Sequence, residues 1–388
     1  MAHTDIAVIG AGIGGLTLGL ALRQHGIDVQ IFEHASELAE VGAAVALAAN
    51  GTRILRELGL GDALEAVSAV PTELVYRHWA DGRRLVAHPV GAWYEQRFGA
   101  PFWGIHRAHL QRGLAQGWGT GGLHLGKTLV DLRVEGDVNV LGFADGSVVT
   151  AGLVVGADGI RSRVRKWVTD TEPVYSGTSG FRGLVPRSAI PDFPDPDAVQ
   201  FWMGPDAHLL HYAVGDAINF LAVVEGPERW DAEGSVGPAD EGELVTAFRD
   251  WHPAVRQMVA AVPQSPRWGL FALPPLHRWS KDGVVLLGDA AHAMLPHHGQ
   301  GANQTLEDAA VLADCLRDNA DVPAALADYE RRRRCRTRQV QRSSWVTSSL
   351  LHLPDGADAT SRDARLRDLV DDFSWIHAYD HRAAALRA

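Results

Sequence analysis

The sequence predicts an α/β protein, α+β overall, in which a parallel sheet built from βαβ units is interrupted by an antiparallel sheet and followed by C-terminal helices. Three observations predict it. Apolar strand-like runs pass into glycine-rich turns and helix starts near 6–33, 153–165 and 284–316. Between 172 and 267 the runs GFRGLVPR, AVQFWMGP, AHLLHYAV and DAINFLAVVEG succeed one another across short turns, as antiparallel strands do. The glycine motifs then resume, and helical patterning carries the chain to its end.

The first unit, DIAVIGAGIGGLTLGLALRQHGIDVQIFEH, gives a strand at Ile6–Ile9, a turn through Gly10, Gly12, Gly14 and Gly15, a helix carrying Leu16, Leu20 and Leu22 and closed by Gly26, and a second strand ending at Glu33. The glycines serve different physical ends. Gly10 allows the tight turn, Gly12 the approach of a pyrophosphate to the backbone, and Gly15 the packing of helix on sheet. The helix start then offers free N–H groups and the positive end of its dipole to phosphates. Glu33 stands where an acid binds the ribose hydroxyls of FAD or NAD and disfavours the 2′-phosphate of NADP.

Two later segments repeat the logic of a strand opening onto small residues. LVVGADGIRSRVR (153–165) turns at Asp158-Gly159. WSKDGVVLLGDAAHAM gives a strand, Val284 to Leu287, then Gly288-Asp289 and a helix from about Gln304 to Leu316. Asp289 is suited to accept hydrogen bonds from a ribityl chain, which is a flavin pattern more than a nicotinamide one. The loop GDAAHAMLPHHGQGANQTLEDA also holds His292, His297 and His298, as a metal site would; yet no Asp, Glu or Cys besides Asp289 lies beside them, so no metal is expected.

Composition excludes several classes. A 388-residue chain that is 46% hydrophobic and 21% charged is an ordinary globular sequence, and a net charge of −11 offers no field for nucleic acid or anionic lipid. The run Arg331-Arg332-Arg333-Arg334 reads as a solvated helix face. Two cysteines, Cys315 and Cys335, supply neither a disulfide framework nor a zinc site, which fits a cytoplasmic protein. No export signal and no stretch of 18 uninterrupted apolar residues is visible, so no membrane span is expected.

The three ordered motifs together resemble the single-component FAD-dependent aromatic hydroxylases, the flavoprotein monooxygenases of salicylate hydroxylase, 6-hydroxynicotinate 3-monooxygenase and 3-hydroxybenzoate 6-hydroxylase type. The resemblance spans nearly the whole chain. It implies a Rossmann-like FAD-binding domain (1–71, 98–171 and 268–388, with the C-terminal helices) and an inserted substrate domain (72–97 and 172–267). It implies FAD as cofactor and NADH or NADPH as transient reductant, with NADH preferred. Oxygen would reach a small electron-rich aromatic through a C4a-hydroperoxyflavin, in a monomer or homodimer. Arg107, in HRAHL, resembles the arginine that approaches the FAD pyrophosphate, and WIHAYD (375–380) is family-like. Pro296, Gly299, Gln300, Gly301, Ala302 and Asn303 resemble the loop that passes beside the flavin ring, where small residues permit close approach.

Period two places His208, Leu210 and Tyr212 on one face of a strand. The resemblance makes His208, Tyr212 and His297 the catalytic candidates: His208 to take or relay a phenolic proton, Tyr212 to orient the hydroxyl. Leu47, Arg182 and Pro296 join them as substrate-site candidates, Arg182 either for a carboxylate or for a structural ion pair. In GAAVALAANGTRIL (42–55), Ala49 stands where the family has proline, and Leu47 is apolar where the nicotinate enzyme has a histidine, which argues against 6-hydroxynicotinate. An FAD oxidase or dehydrogenase on the same scaffold and a non-catalytic flavin-binding module are the competing readings.

Overall fold

The fold is given by a computed structural model that describes residues 2–38, 44–119 and 121–385. Strand β1 (Ala2–Ile9) begins polar and exposed, and only Ile6 to Ile9 are buried. Helix α1 (Ile13–Gln24) is buried from Ile13 to Leu22 because it is covered on two sides, by helix Arg107–Trp118 and by a later helix, α2 (Gly301–Asp318). Strand β2 (Gln30–Phe32) pairs parallel to β1, closing the βαβ unit.

Strand β3 (Val148–Gly156) pairs parallel to β1 on its other side, and Val284–Leu286 pairs parallel to β3. Three glycine-containing turns therefore leave the same, carboxyl edge of one sheet, where open α/β sheets bind their ligands. The hairpin of Leu129–Glu135 and Val138–Phe143 extends β3 outward in antiparallel register. Arg165, fully buried, links two of the turns by donating to the carbonyls of Ile160 (2.8 Å) and Ala290 (3.2 Å).

The second large sheet contains β4 (Val174–Pro186), β5 (Val199–Gly204), β6 (Ala207–Val214) and β7 (Ala217–Glu225). Its order is Val236–Gly237, Arg267–Ala272, β4, β7, β6, β5, Glu73–His78, Arg84–Pro89. One pairing departs from the expected antiparallel pattern: β5 runs parallel to Glu73–His78. Those strands lie more than a hundred residues apart in sequence, and a long crossover permits parallel pairing where a tight turn would not.

The sheet's two faces differ. Phe181, Trp202, Leu209, Phe220 and Ala222 pack with Val255, Met258 and Val259 of the helix Pro253–Ala260 into an apolar core. The opposite face carries Arg182, Leu210, Tyr212, Asn219 and Leu221.

The structure corrects two expectations. Helix α2 starts at Gly301 rather than Gln304; the glycine-alanine start reads as loop but is helical, and the Thr305 hydroxyl donates to the Gly301 carbonyl at 2.9 Å. The preceding strand ends at Leu286. The arginine run is not a solvated face either. It lies in helix α3 (Val322–Leu351), and while Arg331 is exposed, helical periodicity turns Arg333 inward with Thr337, Val340 and Ser344. There Arg333 pairs with Glu307 and Asp308 of α2, Nε to Asp308 at 2.6 Å, all three side chains fully buried. Arg336 holds Glu307 from a second side at 2.6 Å. Burial alone would raise both acids, but Arg336 and Arg333 hold Glu307 below its ordinary range, and His292 and Arg333 do so for Asp308.

Candidate active site

A cavity of about 790 Å³ lies between the carboxyl edge of the parallel sheet, the start of α2 and the polar face of the second sheet. That volume is in the upper range of small-molecule and cofactor sites. Among the predicted cofactor residues, Gly10, Gly12, Gly14, Glu33, Arg107, Asp158, Asp289, Pro296, Gly299, Gly301 and Ala302 line it.

Gly10 has φ of +106°, and a Cβ there would stand 2.5 Å from the Ala157 carbonyl oxygen, so both its conformation and the packing require glycine. Gly12 is the converse case. A Cβ there would meet no protein atom within 4 Å, since the residue borders the cavity. No side chain caps α1, which leaves its first N–H groups to the cavity. Glu33 follows β2 and accepts from the Ala11 N–H at 2.7 Å and the Ala35 N–H at 2.9 Å, so it fixes the glycine turn as well as lining the cavity. Asp158 accepts from the N–H groups of Arg163 (2.7 Å) and Val164 (3.2 Å), and burial pushes its carboxyl up. Asp289 is exposed and its carboxylate has no partner among the described residues.

Two predicted cofactor residues do not face the cavity. A Cβ on Gly15 would lie 1.9 Å from the Gly10 carbonyl oxygen, so Gly15 serves the close packing of α1 on the turn. Asn303 is fully buried and joins segments: its Oδ1 accepts from the Ala48 N–H at 2.9 Å, and its Nδ2 donates to the carbonyls of Ala46 and Gly299 at 3.1 and 2.8 Å. Gln300 is likewise internal, accepting from Asn50 at 3.0 Å.

The substrate-site candidates divide in the same way. Arg182, Tyr212 and Pro296 line the cavity; Leu47, His208 and His297 do not. Leu47 belongs to the core under the parallel sheet. Gly42 and Ala43, the start of its segment, lie outside the described residues. Ala49 opens a helix, and its N–H, which proline would lack, donates to the Tyr94 hydroxyl at 3.1 Å. That hydroxyl also meets His377 of the WIHAYD segment at 2.9 Å.

The three loop histidines diverge. His292 bonds Asp308 and packs at a tilt against Trp279, and His298 meets the hydroxyls of Ser343 (3.0 Å) and Thr347 (3.1 Å) on α3. His297 packs edge-on against His208 with ring centroids 5.2 Å apart, and both its ring nitrogens are buried without a partner. His208 in turn meets the ring of His352, the half-exposed residue that ends α3, at 2.7 Å between Nδ1 and Nε2. No local pattern signals this cluster, because 144 residues separate His208 from His352.

Burial, aided by His352 and His298, pulls His297 down to about 3; burial aided by Arg77 does the same for His211, on the core face of β6. Both stay neutral in the fold across the range where an unfolded histidine takes its proton near pH 6.5. The unfolded chain then binds more protons, so their stabilising contribution is complete above pH 6.5 and is lost as pH falls toward 3. At pH 5.5 the two together are expected to cost about 3 kcal/mol. Thermal melting at pH 7.5 and 5.5 checks this, and an equal Tm at both would contradict the burial argument.

The sequence matches the family model of the FAD binding domain over residues 3–344. It is 41% identical over 377 residues to a 3-amino-4-hydroxybenzoate 2-monooxygenase of Streptomyces cremeus, covering 96% of this chain and 94% of that one. The chain is an FAD-dependent aromatic monooxygenase of this family. The monooxygenase is also 35% identical over 347 residues to a 6-hydroxynicotinate 3-monooxygenase of Pseudomonas fluorescens, with 87% and 90% of the two chains covered. Its fold matches a salicylate hydroxylase substrate complex with a TM-score of 0.84 at 29% identity, across 99% of this chain and 97% of that one. No helix among the described residues of the monooxygenase is long and apolar enough to cross a membrane.

FAD fits the residues present: the space above Gly12, the uncapped start of α1 and the unpartnered Asp289 carboxylate are what its pyrophosphate and ribityl chain require. Gly12→Val is expected to abolish FAD binding, because a branched side chain would fill the space over the turn where a Cβ meets no protein atom and the pyrophosphate must approach. Flavin content of the purified, folded variant is the measurement; full retention would remove the pyrophosphate from this turn.

Proposed function

We propose that the monooxygenase uses NAD(P)H and O2 to hydroxylate a small aromatic acid bearing a phenol, of the aminohydroxybenzoate or hydroxybenzoate type. The observation that carries this reading is Arg182. Its guanidinium lies in the cavity wall over the Trp268 ring at 5.1 Å, with no carboxylate partner among the described residues and its Nε buried without a hydrogen bond. Burial, with Arg107 nearby, pulls its pKa down, a sign of a cation short of a counter-charge. An aromatic carboxylate supplies that charge in the bidentate geometry guanidinium favours. The aminohydroxybenzoate named for the 41% identical relative carries such a group.

In this reading Gly10, Gly12, Gly14, Glu33, Arg107, Asp158 and Asp289 hold FAD, and the loop from Pro296 to Ala302 lets its ring approach. Reduced FAD supplies one electrophilic oxygen atom from O2; the second leaves as water, with NAD(P)H the source of the electron pair. Tyr212, whose hydroxyl is kept protonated by burial, orients the phenol by hydrogen bonding. His208 lies four residues away on the same face of β6, and its pKa is held well below the ordinary value by burial, then by His297 and His352, so it is a neutral acceptor at pH 7. His208 stands behind the cavity lining, so the phenolic proton reaches it by relay rather than by direct contact, which increases the nucleophilicity of the ring, and His352 offers the way out to solvent.

The test is a panel of 3-amino-4-hydroxybenzoate, salicylate, 6-hydroxynicotinate and 2-aminophenol with NADH and with NADPH, scored by product mass and peroxide together. Coupled hydroxylation of an acid supports the reading. Reductant consumption that yields only peroxide with every compound counts against an aromatic acid of this type as the substrate.

A further inference from the structure

The strand AINFLAVVE of β7 contains one polar side chain on its buried stretch, Asn219. It is 5% exposed, lines the cavity, and makes no side-chain hydrogen bond to any described residue. An asparagine held this way keeps its amide free for a group that enters the cavity. Its place in the sheet says which ligand group it meets.

Asn219 is the direct cross-strand partner of Tyr212 on β6, and Arg182 on β4 pairs with Leu221, two residues along on the same face of β7. Arg182, Asn219 and Tyr212 therefore lie on a diagonal across three neighbouring strands of this face, with Asn219 on the middle one. Arg182 offers only donors, and Tyr212 remains a protonated hydroxyl that donates to a phenol oxygen. A carboxylate and a phenol oxygen are the acceptors these two satisfy. The amide oxygen of Asn219 is the neutral side-chain acceptor between them, and as the direct cross-strand neighbour of Tyr212 it is placed toward the ring position next to the phenol.

We propose that Asn219 is the specificity-determining residue for the substituent adjacent to the phenol, its Oδ1 accepting a hydrogen bond from an amino or hydroxyl group there. The inference rests on the aromatic-acid reading above and narrows it: the substrate is an ortho-aminophenol or catechol-type acid rather than a simple hydroxybenzoate.

Calorimetric titration of the FAD-loaded protein tests it without turnover, using 3-amino-4-hydroxybenzoate, 4-hydroxybenzoate, 2-aminophenol and phenol. Wild type is expected to bind the amino-substituted acid at least about 10-fold more tightly than 4-hydroxybenzoate. Asn219→Leu, close in size, should abolish that preference by weakening the amino compound on the order of 10–100-fold, while 4-hydroxybenzoate changes little. Asn219→Gln keeps a neutral acceptor and should retain more of the preference than Asn219→Leu. An unchanged preference in Asn219→Leu overturns the proposal. If wild type binds neither acid but binds 2-aminophenol, the aromatic-acid reading fails by itself, and the Asn219 assignment stands or falls on 2-aminophenol against phenol in the same variants.

Discussion

Arg333→Met is expected to destabilise the monooxygenase by about 3–5 kcal/mol, the usual cost of removing one member of a buried ion network and leaving its partners uncompensated. Met fills similar volume, so the loss is electrostatic rather than a cavity. Glu307 keeps Arg336 and the Asn50 amide at 2.6 Å, but Asp308 keeps only His292 and the Gly288 N–H at 2.9 Å. Asp308 therefore becomes the strained group, and it supports the turn from which Asp289 projects into the cavity. Denaturant unfolding should show a lower midpoint with an unchanged slope, and FAD affinity should fall with it. A midpoint within 1 kcal/mol of wild type, taken as roughly the error of such comparisons, would mean that the two carboxylates find other partners.

His208→Gln is expected to slow hydroxylation by roughly 10²–10⁴-fold, the range of general acid–base catalysis, with FAD content and reduction by NADH nearly unchanged. Peroxide should rise as product falls, because a ring that retains its phenolic proton reacts too slowly with the electrophilic oxygen. His352→Gln, which keeps a hydrogen bond to His208 but cannot pass a proton on, should show a weaker form of the same uncoupling. If the His208 variant gives full product per NADH and only a lower Tm, the imidazole is a packing residue of β6 and proton removal belongs to Tyr212 or water.

The parallel half of the fold is legible in the sequence because its signals are local. Gly10, Gly12 and Gly15 sit within six residues of one another, and each answers a constraint set by the turn itself. Asp158 and Asp289 follow strands whose apolar character is plain, so their convergence on one edge follows from parallel pairing. What the sequence hides depends on distant partners. Arg333 looks like its solvated neighbours in a run of four arginines, and only Glu307 and Asp308, 26 and 25 residues earlier, show why one of them turns inward. Alternation places His208 and Tyr212 correctly on one face, but it does not show that His352 closes the far side of His208. Asn303 reads from its motif as a cofactor residue; its three hydrogen bonds reveal a brace between the loop and residues 46–48. Asn219 draws no notice in the sequence, because one polar residue in an apolar strand becomes informative only when its surroundings are known to offer it no partner.

The strict alternation of β4, β6 and β7 separates two kinds of selection on adjacent residues. Phe181, Leu209, Phe220 and Ala222 hold the sheet to its helical backing, whereas Arg182, Leu210, Tyr212, Asn219 and Leu221 answer to whatever enters the cavity. A substitution on the second set leaves the first set's contacts in place, so chemical preference can drift without a matching loss of cohesion. Such a sheet behaves as an interchangeable panel: a duplicated gene can explore new aromatic rings one side chain at a time, and a combinatorial library confined to those five positions should yield folded, flavin-loaded proteins with altered appetites at high frequency.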